Sequence, residues 1–546
     1  MKMGLLHLIP RDLKPADIFI AFLFMTFLYI LHFYYKHFTR VNPLPGPFPI
    51  PLIGSFDIFK GDIDAWFYRL NKEYGHEGVY ELTIAGKRQI VITHAEHIES
   101  ILRHVTRTAN DGLLDLFDLD KKGLALNHDY NHWKFNRRIF SPAIMSLTSL
   151  NYSPKLSQIE NVLFDEMSKY WIDLKQKHED VIIIDMAAWA RRFICDFTSY
   201  LTTEKRSNTI HYYHRKLKNE VVTKEMIESE EFIENIKFFV SDNQFAFIPK
   251  LIKGLPFIKN RVKRLLDNNH SFYKRLEEIV RKKRKEIEKN INNNDYDFKS
   301  KQLDLLTSLI ITNTPHDPQP QKNIDPSLSR PMTDAEIRGV LFDAFVIGAD
   351  TTVNTFCFVL YYVSHNPNVK KKLFEEIKSV FNDDLNRHVT ISDLEKLKYC
   401  EAIIKEAVRI RPTVSLNTRY CNQPEEVAGY KWPKDMIFIM YSRGINNSSL
   451  YWENPEKFIP ERHYEPQGVE RQQHKNSFLM FGKGPRLCPG RKLAMVELKT
   501  LITLVYRKFD VELVDMQAPL NVETSTFTFI KELNIKLIPR ELKIHS

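Results

Sequence analysis

Cysteine and glycine are both used sparingly in this 546-residue chain, and each scarcity narrows the possible folds. The five cysteines are widely spaced and contain no C-x-x-C pair. This spacing argues against a disulfide scaffold or a zinc ribbon and fits a reducing compartment. The eighteen glycines form no apparent dinucleotide-binding fingerprint, so any nicotinamide chemistry would need a second protein.

The chain also lacks internal repeats and a recognisable nucleic-acid-binding motif, although its formal net charge is +10. Its basic residues are dispersed through Lys216 to Lys289 and around Lys483, Arg491 and Lys492, which is typical of a solvated surface. A content of 43% hydrophobic and 27% charged residues excludes disorder as the dominant state. At about 150 residues per domain, a chain of this length would contain three or four domains, but large single domains are common.

One long apolar run stands near the N-terminus. Residues Ile18 to Tyr35 carry no formal charge, and as a helix they would span roughly 27 Å, close to the thickness of a bilayer core. A cleavable signal peptide would end in small residues, whereas this run ends in Tyr34 and Tyr35 and continues into basic residues. We therefore expect a tail at 1–17 and a retained transmembrane anchor at 18–35. Flanking charge does not decide its orientation, and a buried core helix is the alternative.

Proline occupies every second position from Pro43 to Pro51 and favours a stiff, extended arm. Because this arm directly follows the apolar run, it fits a linker at 36–55 that orients a catalytic domain at 56–546. A ligand for a proline-recognition domain is the other interpretation.

The remainder is predicted to be mainly α with small β-sheets, an α+β chain. Val79 to Ile84 and Gln89 to Thr93 flank a turn and predict a hairpin. Helical apolar spacing dominates from there to about residue 411, and the polar stretch 312–331 predicts a long surface connection. Aromatic and basic residues mix between Phe238 and Phe257, which fits either core packing or the membrane interface.

Three glycines, two prolines and Cys488 cluster in the ten residues from Phe481 to Gly490. Such glycine-rich backbone adopts positive φ angles or lets a large planar ligand approach closely. Helical apolar spacing begins at Arg491, so Cys488 lies just before a helix N-terminus, where a thiolate is favoured. With no second cysteine nearby, this predicts a single soft metal ligand, although an isolated buried cysteine is usually a small core residue.

The order F-x-x-G-x-R-x-C-x-G from Phe481 to Gly490 resembles the haem-binding loop of the cytochrome P-450 family of haem-thiolate monooxygenases. All five fixed positions match. The resemblance implies the cytochrome P-450 fold with bound haem b, Cys488 as the axial iron ligand and Gly490 in the cofactor site. It also implies that Phe481 packs beside the cysteine and that Arg486 reaches a haem propionate.

Thr333 and Glu336 form a capping box that starts a long apolar helix. Midway along it, Asp350 and Thr351 are locally poor helix residues, and such misfits often mark a site. The segment Gly348 to Thr352 resembles the family's oxygen-activation motif, which implies that Asp350 and Thr351 deliver protons during oxygen activation. Ile347 departs from the small residue usual at its position.

Glu406 and Arg409 are i,i+3 neighbours on a helix that Pro412 ends, a spacing that alone usually means a surface ion pair. The downstream segment Phe458 to Arg462 resembles the family's F-x-P-E-R-F segment, which implies that Arg462 joins them in a buried structural triad. His463 replaces the usual aromatic residue.

Trp133 and Arg137 stand at i,i+4 on a predicted helix, a weak motif by itself. Their order along the chain matches the family's clamp on the haem propionates, and the resemblance implies Arg419 as a third contributor. A guanidinium suits this role because it makes two parallel charge-assisted bonds to a carboxylate. The resemblance as a whole covers about Pro43 to Pro539.

The resemblance implies insertion of one oxygen atom of dioxygen into a lipophilic substrate such as a fatty acid, sterol or xenobiotic. Largely apolar pocket segments at His104 to His128, Phe342 to Val346, Val414 to Asn417 and Thr526 to Ile530 agree with that class. Implied partners are NADPH-cytochrome P-450 reductase and cytochrome b5. The implied location is the endoplasmic reticulum membrane, with one span and a cytosolic catalytic domain.

Five basic residues form a candidate docking face for the reductase: Lys134, Arg138, Lys483, Arg491 and Lys492. Two other functions stay open. A haem-thiolate isomerase or dehydratase would need no reductase, but the Asp350 and Thr351 pair argues against it. A non-catalytic, membrane-anchored haem-binding protein is compatible with Ile347.

Overall fold

A computed structural model describes the chain over residues 14–52, 54–55, 62–84, 86–104, 106, 122–125, 127–149, 153–175, 181–242, 256–293, 303–318, 320, 328–382, 384, 386–464, 475–524 and 527–540. Most of the 1–17 tail, the centre of the 238–257 segment and much of the 312–331 connection lie outside these ranges. So do Thr526 and most of the His104 to His128 segment.

The N-terminal apolar run forms helix α1, Pro15–Phe38, which extends three residues beyond the predicted anchor at each end. The first turn holds Pro15 and Asp17, and the last turn holds Lys36 and His37, so polar residues sit at the two ends of the apolar stretch. None of its residues is buried. By length and composition α1 can cross a membrane, whereas the other described stretch that passes the same test, Asp334–Ser364, is mostly buried inside the protein.

The proline arm is held against the catalytic domain at Glu81. This buried carboxylate accepts a hydrogen bond from the Leu44 amide and pairs with Arg40 and Arg88. Arg88 also donates to the Val41 and Asn42 carbonyls. The connection from α1 into the domain is therefore fixed by several polar contacts.

The described helices account for most of the catalytic domain. They are α2 Ile63–Tyr74, α3 Ile98–Leu102, α4 Tyr130–Ser146, α5 Ser153–Asp173, α6 Met186–Thr203, α7 Thr209–Leu217, α8 Lys224–Asp242, α9 Pro256–Asn292, α10 Leu305–Ile311, α11 Asp334–Phe342, α12 Ala349–Ser364, α13 Pro367–Phe381, α14 Ile391–Lys396, α15 Lys398–Ile410, α16 Ser442–Asn446, α17 Glu461–Tyr464 and α18 Arg491–Lys508. The predicted α-rich fold class is confirmed.

Four small sheets complete the described part. Their strands are β1 Val79–Ile84, β2 Lys87–Ile92, β3 Ile182–Asp185, β4 Leu416–Cys421, β5 Glu425–Val427, β6 Tyr430–Trp432, β7 Met436–Tyr441, β8 Phe509–Leu513, β9 Val522–Thr524, β10 Thr528–Ile530 and β11 Asn534–Pro539. The largest has the order β1-β2-β7-β4, and β3-β11-β8 form a three-stranded sheet. The predicted hairpin is β1 paired antiparallel with β2, from Val79 opposite Ile92 to Ile84 opposite Lys87.

A long central helix runs from α11 into α12 through a π-helical stretch at Asp343–Gly348. The predicted capping box is present: the Glu336 amide donates to the Thr333 hydroxyl, and the Glu336 carboxylate accepts from the Thr333 amide. Helices α6, α15 and α18 pack around α12. This arrangement places α18, which follows the loop at Cys488, directly against the central helix.

Candidate active site

The loop from Phe481 to Gly490 turns tightly before α18. Gly482 and Gly484 have φ angles of 69° and 71°, which disfavour any residue with a Cβ. The Cys488 amide donates to the Phe481 carbonyl at 3.0 Å and closes the loop, and Gly490 is the N-cap of α18. Cys488 is only half-buried, while the described chain's other four cysteines are buried. The backbone thus presents one accessible thiol at the start of a helix.

Arg137 on α4 holds the loop from the side. Its Nη2 atom donates to the Leu487 carbonyl at 2.6 Å. Burial lowers the pKa of the Arg137 guanidinium, and a negative charge at Cys488 opposes that shift. A cation beside the sulfur and the N-terminus of α18 both favour the thiolate of Cys488.

Arg486 and Trp133 stack against each other, with the guanidinium carbon 4.1 Å from the centre of the indole. Arg486 donates to the carbonyls of Leu124 and Asn127, each at 2.9 Å. Arg486 therefore fastens the cysteine loop to the segment before α4. The structure brings Trp133, Arg137, Arg486 and Cys488 into one neighbourhood, and a propionate contact by Trp133, Arg137 or Arg486 stays a prediction.

Arg419 lies on β4 and is almost fully buried, with 2% of its surface exposed. Its Nη1 atom donates to the carbonyl of Thr418. Its role as a third propionate donor also stays a prediction.

Glu406, Arg409 and Arg462 meet in a buried network behind the loop. The Glu406 carboxylate receives a bidentate pair from Arg409 at 2.8 and 2.9 Å, and Arg462 lies at 3.4 Å. Burial alone would raise the pKa of Glu406, but hydrogen bonds from His463 and Arg409 outweigh it and hold the pKa at about 2. The carboxylate is therefore charged, and its charge is matched inside the protein.

The opposite side of the site is the widened turn of the central helix. The Thr351 hydroxyl donates to the Ile347 carbonyl at 2.9 Å, and the Thr352 hydroxyl donates to the Gly348 carbonyl at 3.1 Å. Gly348 is exposed and Ile347 and Thr351 are half-buried, although their neighbours Val346 and Asp350 are buried. This part of the helix is less completely covered than the residues beside it, although Ile347 and Ala349 still contact the core.

Asp350 points to α6. Its carboxylate lies 3.6 Å from Arg191 Nε and 3.4 Å from the Asn354 amide nitrogen. Asn354 also donates to the Thr528 carbonyl and accepts from the Ile530 amide, which ties the pair to β10. Burial raises the pKa of Asp350, and the charge of Arg191 counteracts that rise. Asp350 is thus a buried acid with Arg191 as a charged neighbour.

Sequence reasoning missed Arg191 and Asn354. A usable signal for the first was the Arg191-Arg192 pair in the apolar helix α6, since two adjacent arginines inside an apolar helix need partners. Asn354 gave a weaker signal because an asparagine within a helix is common.

A Cβ atom built on each glycine shows where the backbone leaves room for a large flat group. A Cβ built on Gly490 or Gly482 would meet no atom within 4 Å, and one on Gly348 would meet only the Asp343 carbonyl at 3.9 Å. Helices α12 and α18, which carry the two sides, pack directly together, and Thr352 hydrogen-bonds to Glu497. A half-buried thiol, open glycine backbone and flanking guanidinium groups suit a haem held by sulfur.

Comparison with known proteins decides the family. The Cytochrome P450 family model matches residues 44–538. The chain belongs to the cytochrome P450 family.

Human steroid 17-alpha-hydroxylase/17,20 lyase is 25% identical over 484 residues, covering 85% of this chain and 86% of that protein. Cytochrome P450 4d2 of Drosophila melanogaster is 24% identical over 487 residues, covering 86% and 88%. The crystal structure of a cytochrome P450DA mutant heme domain agrees in fold, with a TM-score of 0.72, 19% identity, and coverage of 92% of this chain and 98% of that one.

The chain is therefore a cytochrome P450 monooxygenase with haem b as its cofactor. When bound, haem supplies the redox and oxygen chemistry. Cys488 stays the predicted iron ligand, and the buried Glu406 network stays a predicted structural support for the loop that would present it. On the other side, the Thr351 hydroxyl and the buried Asp350 carboxyl are the groups that can hold or transfer a proton.

Proposed function

We propose that this cytochrome P450 inserts oxygen into a lipophilic substrate of the sterol, fatty acid or xenobiotic class. The observation that carries the proposal is the pairing of Asp350 and Thr351 in the first turn of α12, directly after the π-helical stretch Asp343–Gly348. An acid next to an alcohol suits proton delivery during oxygen activation, whereas an isomerase or dehydratase has no need of it. The half-buried side chains of Ala344, Ile347, Val414 and Leu416 give the described surroundings an apolar character.

The residue Ile347 narrows the space near Thr351 compared with the small residue common in the family. It points its backbone carbonyl at the Thr351 hydroxyl, and its side chain is half-buried. A flat or extended hydrocarbon is favoured over a bulky, branched one. The similarity to steroid 17-alpha-hydroxylase/17,20 lyase makes steroids the first compounds to try, with fatty acids second.

The test combines ligand binding with turnover. Purified ferric protein is titrated with steroids, fatty acids and drug-like lipophiles, and a spectral shift marks ligands that enter the site. Turnover with NADPH and reductase is then compared for wild type, Thr351→Ala and Thr355→Ala. Thr355 lies one turn further along, and its hydroxyl donates to the Thr351 carbonyl. The Thr355→Ala variant therefore controls for the loss of a threonine hydroxyl that bonds to the helix backbone.

Thr351→Ala should consume NADPH while releasing hydrogen peroxide in place of product, and Thr355→Ala should stay coupled. Product formation from a peroxide substrate without reductase would support the isomerase alternative. Haem binding without turnover of any substrate would support the non-catalytic one.

Electrons are proposed to come from NADPH-cytochrome P-450 reductase, with cytochrome b5 as a second donor. Lys134 and Lys492 are exposed near the cysteine loop, whereas Arg138, Lys483 and Arg491 are half-buried. Lys483 donates to Asn476 and Arg491 to the Cys488 carbonyl, so reversing either would also disturb the loop. Lys134→Glu and Lys492→Glu are therefore the informative changes, with Lys224→Glu on α8 as the control.

If the face docks an acidic flavoprotein, the first two variants slow reduction and weaken its dependence on ionic strength. Unchanged reduction rates in both would remove the docking assignment.

For location, we propose one span formed by α1 in the endoplasmic reticulum membrane, with the catalytic domain in the cytosol. The exposed apolar surface of α1 and its fixed connection through Glu81 support this arrangement. Protease treatment of intact microsomes should digest the catalytic domain. Protection of that domain would contradict the proposed orientation.

A further inference from the structure

His463 occupies the position where the family usually has an aromatic residue, and the structure gives it two kinds of contact. Its Nε2 atom lies 3.1 Å from Glu406 Oε2, and its side chain is only 5% exposed. Arg462, the expected partner of Glu406, lies at 3.4 Å and donates its Nη2 hydrogen to the Asn454 carbonyl. His463 thus makes the shorter contact with the carboxylate.

The ring of His463 also packs on the chain that enters the cysteine loop. Its centre lies 5.2 Å from that of Phe478 and 5.6 Å from that of Trp452. Trp452 in turn donates to the Ser477 carbonyl at 3.4 Å. Phe478 precedes Phe481, the first residue of the loop, by three positions. One side chain therefore contacts both the Glu406 network and the segment leading to Cys488.

Glu406 depends on this contact for one of its oxygens. Among the described residues, Oε1 accepts from Arg409 and from the Ile459 amide, while Oε2 accepts from Arg409 and His463. Removing the His463 donor leaves Arg409 as the remaining donor to Oε2 among the residues that the structure describes. A buried carboxylate oxygen that loses a donor carries a desolvation penalty.

We propose that His463 is a positioning residue for the cysteine loop, acting through Glu406 on one side and Phe478 on the other. An aromatic hydrocarbon at this position can make only the ring contacts. The imidazole adds a hydrogen bond that couples the charge network to the backbone presenting Cys488. Its described contacts are with Glu406, Phe478 and Trp452, so it acts on the site through other residues.

Two substitutions separate the hydrogen bond from the packing. His463→Phe keeps a ring against Phe478 and Trp452 but removes the donor. His463→Gln keeps an N–H donor of similar reach and removes the ring. His76→Phe, on an exposed turn, controls for the same change of residue type elsewhere.

The readouts are the reduced carbon monoxide spectrum and the rate of haem transfer to apomyoglobin, neither of which measures activity. His463→Phe should convert a large share of the thiolate-type Soret band to the thiol type and speed haem transfer about tenfold, the scale of a lost hydrogen bond to a charged group. His463→Gln should lie close to wild type, as should His76→Phe. If His463→Phe fails to incorporate haem while His463→Gln incorporates it, that result also supports the proposal.

A wild-type spectrum for His463→Phe would overturn the proposal. So would equal damage in the Phe and Gln variants, including failure of both to fold, because packing alone would then account for His463. The proposal rests on Cys488 as the iron ligand. The Cys488→Ser variant tests that assignment separately, because a retained thiolate-type band would show that Cys488 is misassigned.

Discussion

The Nε atom of Arg191 lies 3.6 Å from the carboxylate of Asp350, and both side chains are buried, at 7% and 6% exposed. The guanidinium also stacks on Phe529, 4.3 Å from its ring centre, and donates to the Ile530 carbonyl. Arg191 thereby connects α6 and β10 to the acid of the proposed proton-delivery pair. The charge of Asp350 is thus balanced inside the fold, so its effect on stability can be measured apart from its proposed role in proton delivery.

We expect Arg191→Met to destabilise the fold by about 3 to 5 kcal/mol, because it leaves a buried carboxylate without its cation. The double variant Arg191→Met/Asp350→Asn should recover most of that loss, since no unpaired charge remains. Its NADPH consumption should still yield more peroxide and less product than wild type. Denaturant unfolding and the peroxide-to-product ratio check the two halves. Wild-type coupling in the double variant would exclude Asp350 from proton delivery.

A second buried carboxyl, Glu497, predicts how stability varies with pH. Burial raises its pKa to about 8, and its hydrogen bond with Thr352 only partly opposes that rise. In the unfolded chain the Glu497 carboxyl has a pKa near the ordinary value of 4.5. Between pH 4.5 and about pH 8, Glu497 therefore binds fewer protons in the unfolded chain than in the folded protein. Stability therefore falls as pH rises through that window and is not affected by this group below it.

Glu497→Gln removes this dependence because the amide does not ionise. The free energy of unfolding of Glu497→Gln minus that of wild type should increase by up to about 4 kcal/mol as the pH rises from about 5 to about 8. Thermal unfolding followed by circular dichroism at both ends of the range measures the change. A difference between variant and wild type that is the same at both pH values would refute the prediction. Glu160, whose pKa burial and Glu497 also raise, adds to the wild-type trend.

Gly490 and Gly484 allow cofactor contact to be distinguished from backbone strain. Gly490 has φ −85° and ψ 7°, and a Cβ there meets no protein atom within 4 Å. Gly490→Ala should thus leave the apoprotein's stability within about 0.5 kcal/mol of wild type and weaken haem binding. Gly484 has φ 71°, and its Cβ would lie 3.0 Å from the Leu102 carbonyl, so Gly484→Ala should destabilise the apoprotein itself.

Haem titration of both apoproteins, with unfolding as the second readout, makes the comparison. Undiminished haem affinity in Gly490→Ala would remove Gly490 from the cofactor site.

Local patterns in the sequence were enough to predict the elements that depend on neighbours along the chain. The capping box at Thr333, the hairpin of β1 and β2 and the helix after Gly490 all formed as expected. Helix α1 extends three residues beyond the predicted anchor at each end, and the bounds of the anchor itself stay a prediction. An apolar run defines the membrane-spanning part, but Pro15 and His37 can extend the helix into polar surroundings.

Contacts between distant segments were beyond the sequence. Arg191 and Asp350 are 159 positions apart, and no local rule pairs them. The same holds for Arg486 and the Leu124 carbonyl, a contact that joins two loops. His463 stood out as a departure from the family's pattern, yet its hydrogen bond to Glu406 became visible only once α15 and α17 were packed together.

The central claim is that the sulfur of Cys488 ligates the haem iron, and the reduced carbon monoxide spectrum tests it most directly. Wild type should give the thiolate-type Soret band. Cys488→Ser should lose that band, and Cys195→Ser should keep it because Cys195 is buried, with burial raising the pKa of its thiol to about 12. A wild-type protein without the thiolate-type band, or a Cys488→Ser variant that retains it, would contradict the account.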